Sequence, residues 1–518
     1  MGKDFRKELF LHINGIVVIP TLRTLFDLEI FNFMNKNTSF SLDSLIQEFN
    51  VNPGYMNVSL RTLQSIGLIY KKNYEQPINN IFYVNKENLE IINSLSKEIK
   101  LCNNLANSII PFQKNIYENT NIDLELLKLL NEYNDFLIKI NNNIDGNEFK
   151  KNLNYYIIGS VLGTIVSNLG FLNIEIHKFK SKNKDLDLII SSIFKNIFLL
   201  DSDNRLTSKG LFYNDRATSF GVTTSYMPLL KNLKNILTIN SNFIRELNEN
   251  KDEKHVNRNM NVWGSGGAHK YYFNKIDNII IDVFNRNIED QPKGIIDIGC
   301  GDGTFLKHCY DLISNKTIRK NYLKDHPIIL IGVDINKAAR VATRKKLNSV
   351  DIENIVINGN ISDPDSINKT ISNEFNVKLE DFINTRTFLD HNRIYTSPKE
   401  LKFSVVQSSG VFASKGKIIN SESLLNNLIE HFSNWKKYIY KYGLIILELH
   451  TINPKDTAEN QGRMLSCSYD ATHGYSDQYL VEYDIFIKCA NLANMKLNDE
   501  SILFPNKEYP TISINYFT

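Results

Sequence analysis

Cysteine is scarce in this 518-residue chain: there are five, Cys102, Cys300, Cys309, Cys467 and Cys489, scattered and with no CxxC pair. That distribution argues against a disulfide scaffold or a structural zinc site and fits a reducing compartment. No unbroken apolar run of about 18 residues is present, and the opening MGKDFRKELF lacks the apolar segment of a secretion signal. A cytoplasmic protein with no membrane partner is therefore expected. An excess of one charge sign is missing too. Sixty Lys and Arg face 57 Asp and Glu, for a formal net charge of +3, so no global basic field argues for nucleic acid. What remains is ordinary globular composition, 42% hydrophobic and 23% charged, in a chain too long for one core.

Residues 1–90 read as helices followed by a small wing. GIVVIPTLRTLFDLEIFNFM has apolar residues at helical spacing, SFSLDSLIQEFNV follows with Ser41 as its N-cap, and PGYMNVSLRTLQSIGLIYKK is a third helix ending near Gly67. YEQPINNIFYV then offers a turn and a strand, completing a winged helix. Residues 91–150 form a helical connector. Residues 151–240 carry a degraded second copy, in which IIGSVLGTIVSNLGFLNIE echoes INGIVVIPTLRTLFDLEIF and Gly159 stands where Gly15 stood. The third helix of the first copy has a single Arg, whereas a DNA recognition helix needs several basic and amide side chains. No nucleic-acid partner is expected. The domain 241–518 opens on a highly polar segment, 241–260, that reads as a linker or exposed helix, and after it strands and helices alternate, as in a doubly wound α/β domain.

In GIIDIGCGDGTF (294–305) the first of those strands runs into a glycine turn at the start of a helix. Gly299, Gly301 and Gly303 permit positive φ and let a ligand approach the backbone closely. The spacing is G-x-G-x-G, not the G-x-G-x-x-G of a dinucleotide site. Asp297 and Asp302 beside it suit a cationic ligand better than a diphosphate, and the ammonium and sulfonium of S-adenosylmethionine meet that description. Asp334, ending the next strand ILIGVD, is positioned to accept both ribose hydroxyls. Asn360 and Ile361 in NGNISDP, at the third strand end, are positioned to flank an adenine, with Asp363 behind them.

This constellation resembles the class I S-adenosylmethionine-dependent methyltransferases over about residues 260–518. The resemblance implies a Rossmann-like α/β domain with a mostly parallel seven-stranded sheet, preceded by the mostly α-helical winged-helix domains. VWGSGGAHKYYF (262–273) resembles the pre-motif helix of small-molecule methyltransferases, a Gly/Ser turn whose aromatics, Tyr271 and Tyr272, close over the cofactor. Strand four, in DFINTRTFL, is followed by Asp390 and His391, where O-methyltransferases carry their base within LHDW; here the order is LDHN. Strand five, YGLIILELH, ends in Glu448 and His450, and neighbouring strand tips lie about 5 Å apart. Asp390, His391 and His450 are thus the candidate catalytic residues. With Gln478 from YDATHGYSDQY, read as a closing loop, they are also candidate ligands of a mononuclear iron or manganese. Such a metal would acidify an α-carbon by binding its carbonyl. A hydrogen-bonded general-base pair without metal is the alternative.

The motif order LRTLFDLEIFNFM, VWGSGGAHKYYF, DIGCGDGTFL, TFLDHNR, LELHTINP, YDATHGYSDQY is similar to that of the polyketide-associated, apratoxin-type C-methyltransferases. That resemblance implies methylation of a keto- or malonyl-type carbon on a small molecule or on an acyl unit held by a carrier protein. In small-molecule methyltransferases such winged helices pack a dimer, so a homodimer is expected. Two further readings use the same residues. One is a metal-independent O-methyltransferase with His391 as base, and the other is a winged-helix regulator that senses S-adenosylmethionine without turnover.

Overall fold

The computed structural model describes residues 5–72, 81–109, 122–141, 146–249, 252–350, 352–404 and 407–518, leaving aside the side chains of 268–270. They form two compact units: residues 1–267, 413–418 and 453–477 in the first, residues 268–412, 419–452 and 478–518 in the second.

The first unit is organised around the helix Phe5–Asp27. Its mean hydropathy of 1.6 and its length would suit a membrane span, but 83% of that stretch is buried inside the protein. A helix apolar all round is what a core position demands. It crosses the helix Glu148–Phe171 at two glycines. A Cβ on Gly15 would stand 2.1 Å from the Tyr156 carbonyl oxygen, and one on Gly159 would stand 2.2 Å from His12 Cα. Each absent Cβ faces the backbone three residues ahead of the other glycine, so the crossing is reciprocal. The pair that aligns the two sequence copies is therefore the pair that lets them touch.

Ser41 caps the helix Leu42–Phe49 in a reciprocal box with Ser44, and Asn52 caps Pro53–Ser65 through the Tyr55 N–H. The wing is the antiparallel sheet of β1 (Ser39–Ser41), β2 (Ile69–Tyr70) and β3 (Ile81–Val84), in the order β1-β3-β2; the turn expected between β2 and β3 lies outside the described residues. In the second copy a single bridge, Leu200 to Leu206, takes the wing's place. The recognition-type helix Pro53–Ser65 is buried over nearly all its length. Arg61 Nε lies 2.9 Å from Asp470 Oδ2 and Ser59 Oγ lies 2.8 Å from Tyr475 Oη, both on the helix Ser466–Tyr475. The segment 469–479, read above as a closing loop, is thus largely a buried helix.

The chain continues with β4 (Gly294–Ile298), β5 (Ile329–Val333), β6 (Asn354–Ile357), β7 (Ile383–Thr387), the hairpin strands β8 (Phe412–Ser414) and β9 (Lys417–Ile419), then β10 (Leu444–Leu449), β11 (Ile502–Phe504) and β12 (Ile512–Phe517). Residues 413–418 of the hairpin belong to the first unit and the other strands to the second. A seven-stranded sheet has the order β11-β12-β10-β7-β4-β5-β6. β4, β5, β6, β7 and β10 run parallel, and β12 is antiparallel to both of its neighbours. β4 and β10 are buried at every position, as strands covered on both faces must be. The fold is the mostly parallel class I methyltransferase sheet that the sequence implied. Its strand order reverses at β4 and β7, which is where ligands bind in such sheets.

The helix Arg258–Phe284 corrects one expectation: VWGSGGAHKYYF contains no turn. A Cβ on Gly264 would lie 2.7 Å from the Gly221 carbonyl carbon, and one on Gly267 2.4 Å from Thr218 Cγ2. These glycines admit a neighbouring helix instead of bending the chain.

Candidate functional site

Gly299, Gly301 and Gly303 all adopt left-handed backbone, with φ of 79°, 55° and 78°, which carries β4 sharply into the helix Thr304–Lys316. A Cβ on Gly301 would meet nothing within 4 Å, so the loop is open there. A Cβ on Gly299 would lie 2.8 Å from Leu389 Cδ2, which places the tip of β7 over the loop's first glycine. Asp334, just after β5, accepts the Gly301 N–H through Oδ2 at 3.2 Å and the Asn336 N–H through Oδ1 at 2.8 Å. Its carboxylate thereby ties the second strand tip to the glycine loop.

The other two acids are engaged within the protein. Asp297 is 1% exposed and accepts a hydrogen bond from Thr385 Oγ1 at 3.0 Å. Burial, seconded by the nearby Asp334 and opposed by Thr385, pushes its carboxyl up to about 8. At neutral pH it is mostly a protonated support beneath the loop. Asp302 is paired with the Lys346 ammonium; burial works against ionisation, yet Lys346 and Thr304 hold the carboxyl below the usual range. Negative charge beside Gly301 therefore comes from Asp334.

At the β6 end, Asn360 Oδ1 accepts the Ser362 N–H at 2.9 Å. Ile361 is buried in the core, and its carbonyl accepts Trp435 Nε1–H at 2.8 Å. Asp363 caps the helix Pro364–Phe375. Between them the Ser362 hydroxyl is buried with no hydrogen-bond partner among the described residues. Nothing in the sequence drew attention to Ser362, because a lone Ser carries no spacing signal. The open backbone at Gly301, the Asp334 carboxylate and the unsatisfied Ser362 hydroxyl fit the polar groups of S-adenosylmethionine.

Asp390, His391 and Asn392 form a short 3-10 turn after β7. Its His391 is gripped from β10. Glu448 Oε1 lies 2.5 Å from His391 Nδ1, Oε2 accepts the His391 backbone N–H at 3.1 Å, and Oε1 also accepts the Leu449 N–H at 2.7 Å. Both side chains are buried. With Nδ1–H directed at the carboxylate, the neutral ring carries its lone pair on Nε2. A tautomer locked by a buried anion is the arrangement of a general base.

Asp390 turns the other way. Its Oδ1 accepts from His431 Nε2 at 3.0 Å and its Oδ2 lies 3.3 Å from Arg386 Nε. Burial opposes ionisation there, but the Arg386 guanidinium and His431 hold the carboxyl below its usual range. Burial in turn takes His431 down to about 4. His450 is drawn down to about 3 by burial, and is neutral. Its Nδ1–H donates to the Val481 carbonyl at 3.2 Å, and its Nε2 accepts from Ser513 Oγ at 2.7 Å. Ser513 Oγ accepts from Asn515 Nδ2 at 2.6 Å, and Asn515 Oδ1 accepts from Ser501 Oγ at 2.6 Å. Both ring nitrogens of His450 are engaged. Gln478 is buried in the second unit.

Among the described residues, no group of three or more His, Cys, Asp or Glu side chains is arranged to hold a metal ion. The expected set Asp390, His391, His450 and Gln478 does not assemble into one, because Asp390 faces an arginine and both nitrogens of His450 are hydrogen-bonded. The donors as arranged do not fit a mononuclear iron or manganese. Glu448, noted in the sequence only as a strand end, proves to be the partner of His391.

Residues 253–515 match the AprA MT2-like domain family, residues 5–71 the AprA N-terminal domain and residues 161–240 the AprA winged helix domain. Solved structures to which the chain is similar include an O-methyltransferase family 2 protein from Planctomyces limnophilus in complex with apigenin, at 8% identity over 100% of this chain and 96% of that one, TM-score 0.36. Another is an O-methyltransferase family protein from Burkholderia thailandensis, at 12% identity over 77% and 98%, TM-score 0.36. A third is human N-acetylserotonin methyltransferase in complex with S-adenosylmethionine, at 11% identity over 72% and 99%, TM-score 0.39. No curated protein matches.

Proposed function

The chain belongs to the AprA MT2-like family of S-adenosylmethionine-dependent class I methyltransferases, and on that premise we propose that it methylates the α-carbon of a keto- or malonyl-type acyl thioester, with His391 as the base. The observation that carries the reading is the Glu448–His391 pair at the tips of β10 and β7, two residues beyond the Leu389 that lies on Gly299. A base beside the cofactor loop is what removal of an acidic C–H requires.

Bound S-adenosylmethionine supplies a methyl group on a positively charged sulfur that leaves as a neutral thioether. Asp334 receives the ribose hydroxyls, the open turn at Gly301 receives the methionyl arm, and Ser362 Oγ is the hydroxyl available to the adenine. His391 Nε2 takes the α-proton, and the Glu448 carboxylate stabilises the imidazolium so formed. The electron pair left on carbon makes the new carbon–carbon bond. No metal enters the sequence of events, given where the Asp390 and His450 side chains are directed.

The test is turnover. Malonyl and 3-oxoacyl thioesters of N-acetylcysteamine, the same acyl groups on a carrier protein, and simple phenols are each offered with the methyl donor. S-adenosylhomocysteine release and the mass and NMR shift of the product are followed. The expected result is a C-methylated thioester, in the free or the carrier-bound arm. In the same protein Asp334→Ala weakens cofactor binding by roughly 100-fold or more in calorimetry, the loss of two hydrogen bonds to a charged group at about 1.5–3 kcal/mol each. Methylation confined to the phenols would replace this reading by O-methylation with His391 as base. Cofactor binding without turnover in any arm would point to a sensor.

A further inference from the structure

A carbon acid needs more than a base. As the α-proton leaves, negative charge collects on the carbonyl oxygen, and a site without a Lewis acid must meet that oxygen with a hydrogen-bond donor. The question therefore follows from the C-methylation reading and rests on it: which group in the second unit supplies the donor?

Tyr272 lies on the helix Arg258–Phe284. Its ring is held edge-on by three others: Tyr271 at 5.3 Å between centroids, Phe504 at 5.0 Å and Phe388 at 6.0 Å. Phe504 ends β11, and Phe388 directly follows β7, three residues before His391. Phe388 has a φ of 54°, in the left-handed region where an aromatic side chain is uncommon and strain is stored. Its backbone N–H is nonetheless fixed to the Leu447 carbonyl at 2.6 Å. The strained residue thus presents its ring to Tyr272 at the strand tip that carries the base.

The Tyr272 side chain is half-buried, and its hydroxyl makes no hydrogen bond with any described residue. A phenol presents an apolar body and a polar tip, and here the ring is packed while the hydroxyl is left for a ligand. We propose that Tyr272 Oη is the hydrogen-bond donor to the enolate oxygen of the substrate, with the Phe388–Phe504 clamp holding its ring in place. Burial, with a smaller push from Tyr271, raises the phenol to about 12, so it remains protonated over the working range. The balance is simple. The α C–H bond breaks and its proton goes to His391 Nε2. The electron pair spreads onto the carbonyl oxygen, which accepts the Tyr272 hydrogen bond while the phenol keeps its hydrogen. The carbon–carbon bond then forms as the methyl–sulfur bond breaks.

The experiment compares wild type, Tyr272→Phe, Phe388→Leu and His391→Ala. Two rates are read: methyl transfer to malonyl-N-acetylcysteamine thioester, and α-deuterium uptake by the same thioester in heavy water with S-adenosylhomocysteine bound. Tyr272→Phe is expected to lower kcat by roughly 100-fold, the usual cost of one lost oxyanion donor, and deuterium uptake with it. KM and cofactor affinity should stay within about threefold. Phe388→Leu keeps the hydroxyl but loosens the ring, and loses less than Tyr272→Phe in both rates. A tetrafluorinated tyrosine at 272 leaves packing nearly unchanged but makes the phenol far more acidic, so kcat acquires a falling limb inside the working pH range that the wild type lacks. That last readout stands even if Tyr272→Phe folds poorly. A Tyr272→Phe enzyme within threefold of wild type, or a kcat profile unmoved by fluorination, overturns the inference while His391-dependent turnover of the thioester keeps the proposed function standing. Loss of cofactor affinity in step with kcat makes Tyr272 a cofactor contact and also overturns it. Turnover of phenols alone removes the underlying reading instead.

Discussion

Replacing Glu448 by Gln tests the base at its hinge. Glu448 accepts three N–H groups: His391 Nδ1 at 2.5 Å, the His391 amide at 3.1 Å and the Leu449 amide at 2.7 Å. A glutamine has one acceptor oxygen. Set at the Oε1 position, that oxygen keeps the imidazole and Leu449 but turns an NH2 group toward the His391 amide. Flipped, it turns the NH2 group toward the imidazole. At least one buried donor is stranded either way, at about 1–3 kcal/mol, and this falls on stability. The rate suffers separately, because the imidazolium formed on proton transfer loses a charge-assisted hydrogen bond of about 1.5–3 kcal/mol. That corresponds to roughly a 10- to 100-fold fall in kcat. The assay is S-adenosylhomocysteine release across pH, with cofactor affinity by calorimetry as the control expected to stay unchanged. The double variant with His391→Ala should be no slower than His391→Ala alone, since the carboxylate acts only through the imidazole. A Glu448→Gln enzyme within threefold of wild type, or a double variant whose losses multiply, would refute the pairing.

Two further outcomes follow from buried groups elsewhere. Asp297, at about 8 in the fold and about 4 when unfolded, binds more protons in the native state between those values. Stability should therefore fall as pH rises through that window, by up to about 1.4 kcal/mol per unit. Asp297→Asn should flatten the dependence of the thermal midpoint between pH 5 and pH 7.5, and identical slopes in the two proteins would mean an ionised carboxylate. Gly159→Val would drive a Cβ to 2.2 Å from His12 Cα, a backbone clash that no rotamer relieves. It should destabilise the first unit by about 3 kcal/mol or more, read as an early unfolding transition by circular dichroism. Gly266→Ala in a helix with open space at that point should be neutral or slightly stabilising, and equal behaviour of the two variants would contradict the close crossing.

The sequence made some parts of the fold legible for definite reasons. Parallel strands buried on both faces read as short apolar runs, so β4, β5 and β10 stand out in GIIDIG, IILIGV and LIILEL. The glycine turn is legible because only glycine takes three left-handed positions in quick succession at no cost. What failed to show were partners distant in sequence. His450 has the right residue type at the right strand end, but what decides its role is Ser513, Asn515 and Ser501, contributed some sixty residues later when β12 returns antiparallel beside β10. The segment around Tyr475 reads as a loop from its Gly, Ser and Asp content. It is helical because Arg61 and Ser59 bury it, which is tertiary packing overriding a weak local preference.

Asp390 and His391 carry the lesson into the chemistry. Adjacent carboxylate and imidazole look like one site in sequence. In a 3-10 turn successive side chains project about 120° apart, so one reaches Glu448 on β10 and the other reaches Arg386 and His431. The separation matters for a base that must release its proton after each turnover. Were both carboxylates on the same imidazole, two anions would hold its charged form, raising basicity but slowing the return of the proton. Opposing Asp390 with the guanidinium of Arg386 removes one of those anions from the account and leaves His391 with Glu448 as its carboxylate partner. The buried Arg386–Asp390 pair is then a device for keeping one negative charge away from the imidazole proposed as the base. On this view Asp390→Asn, which leaves the buried Arg386 guanidinium uncompensated, should cost about 3–5 kcal/mol of stability by thermal unfolding while the folded enzyme keeps kcat within about tenfold, whereas a directly catalytic Asp390 would lose kcat by several hundredfold or more.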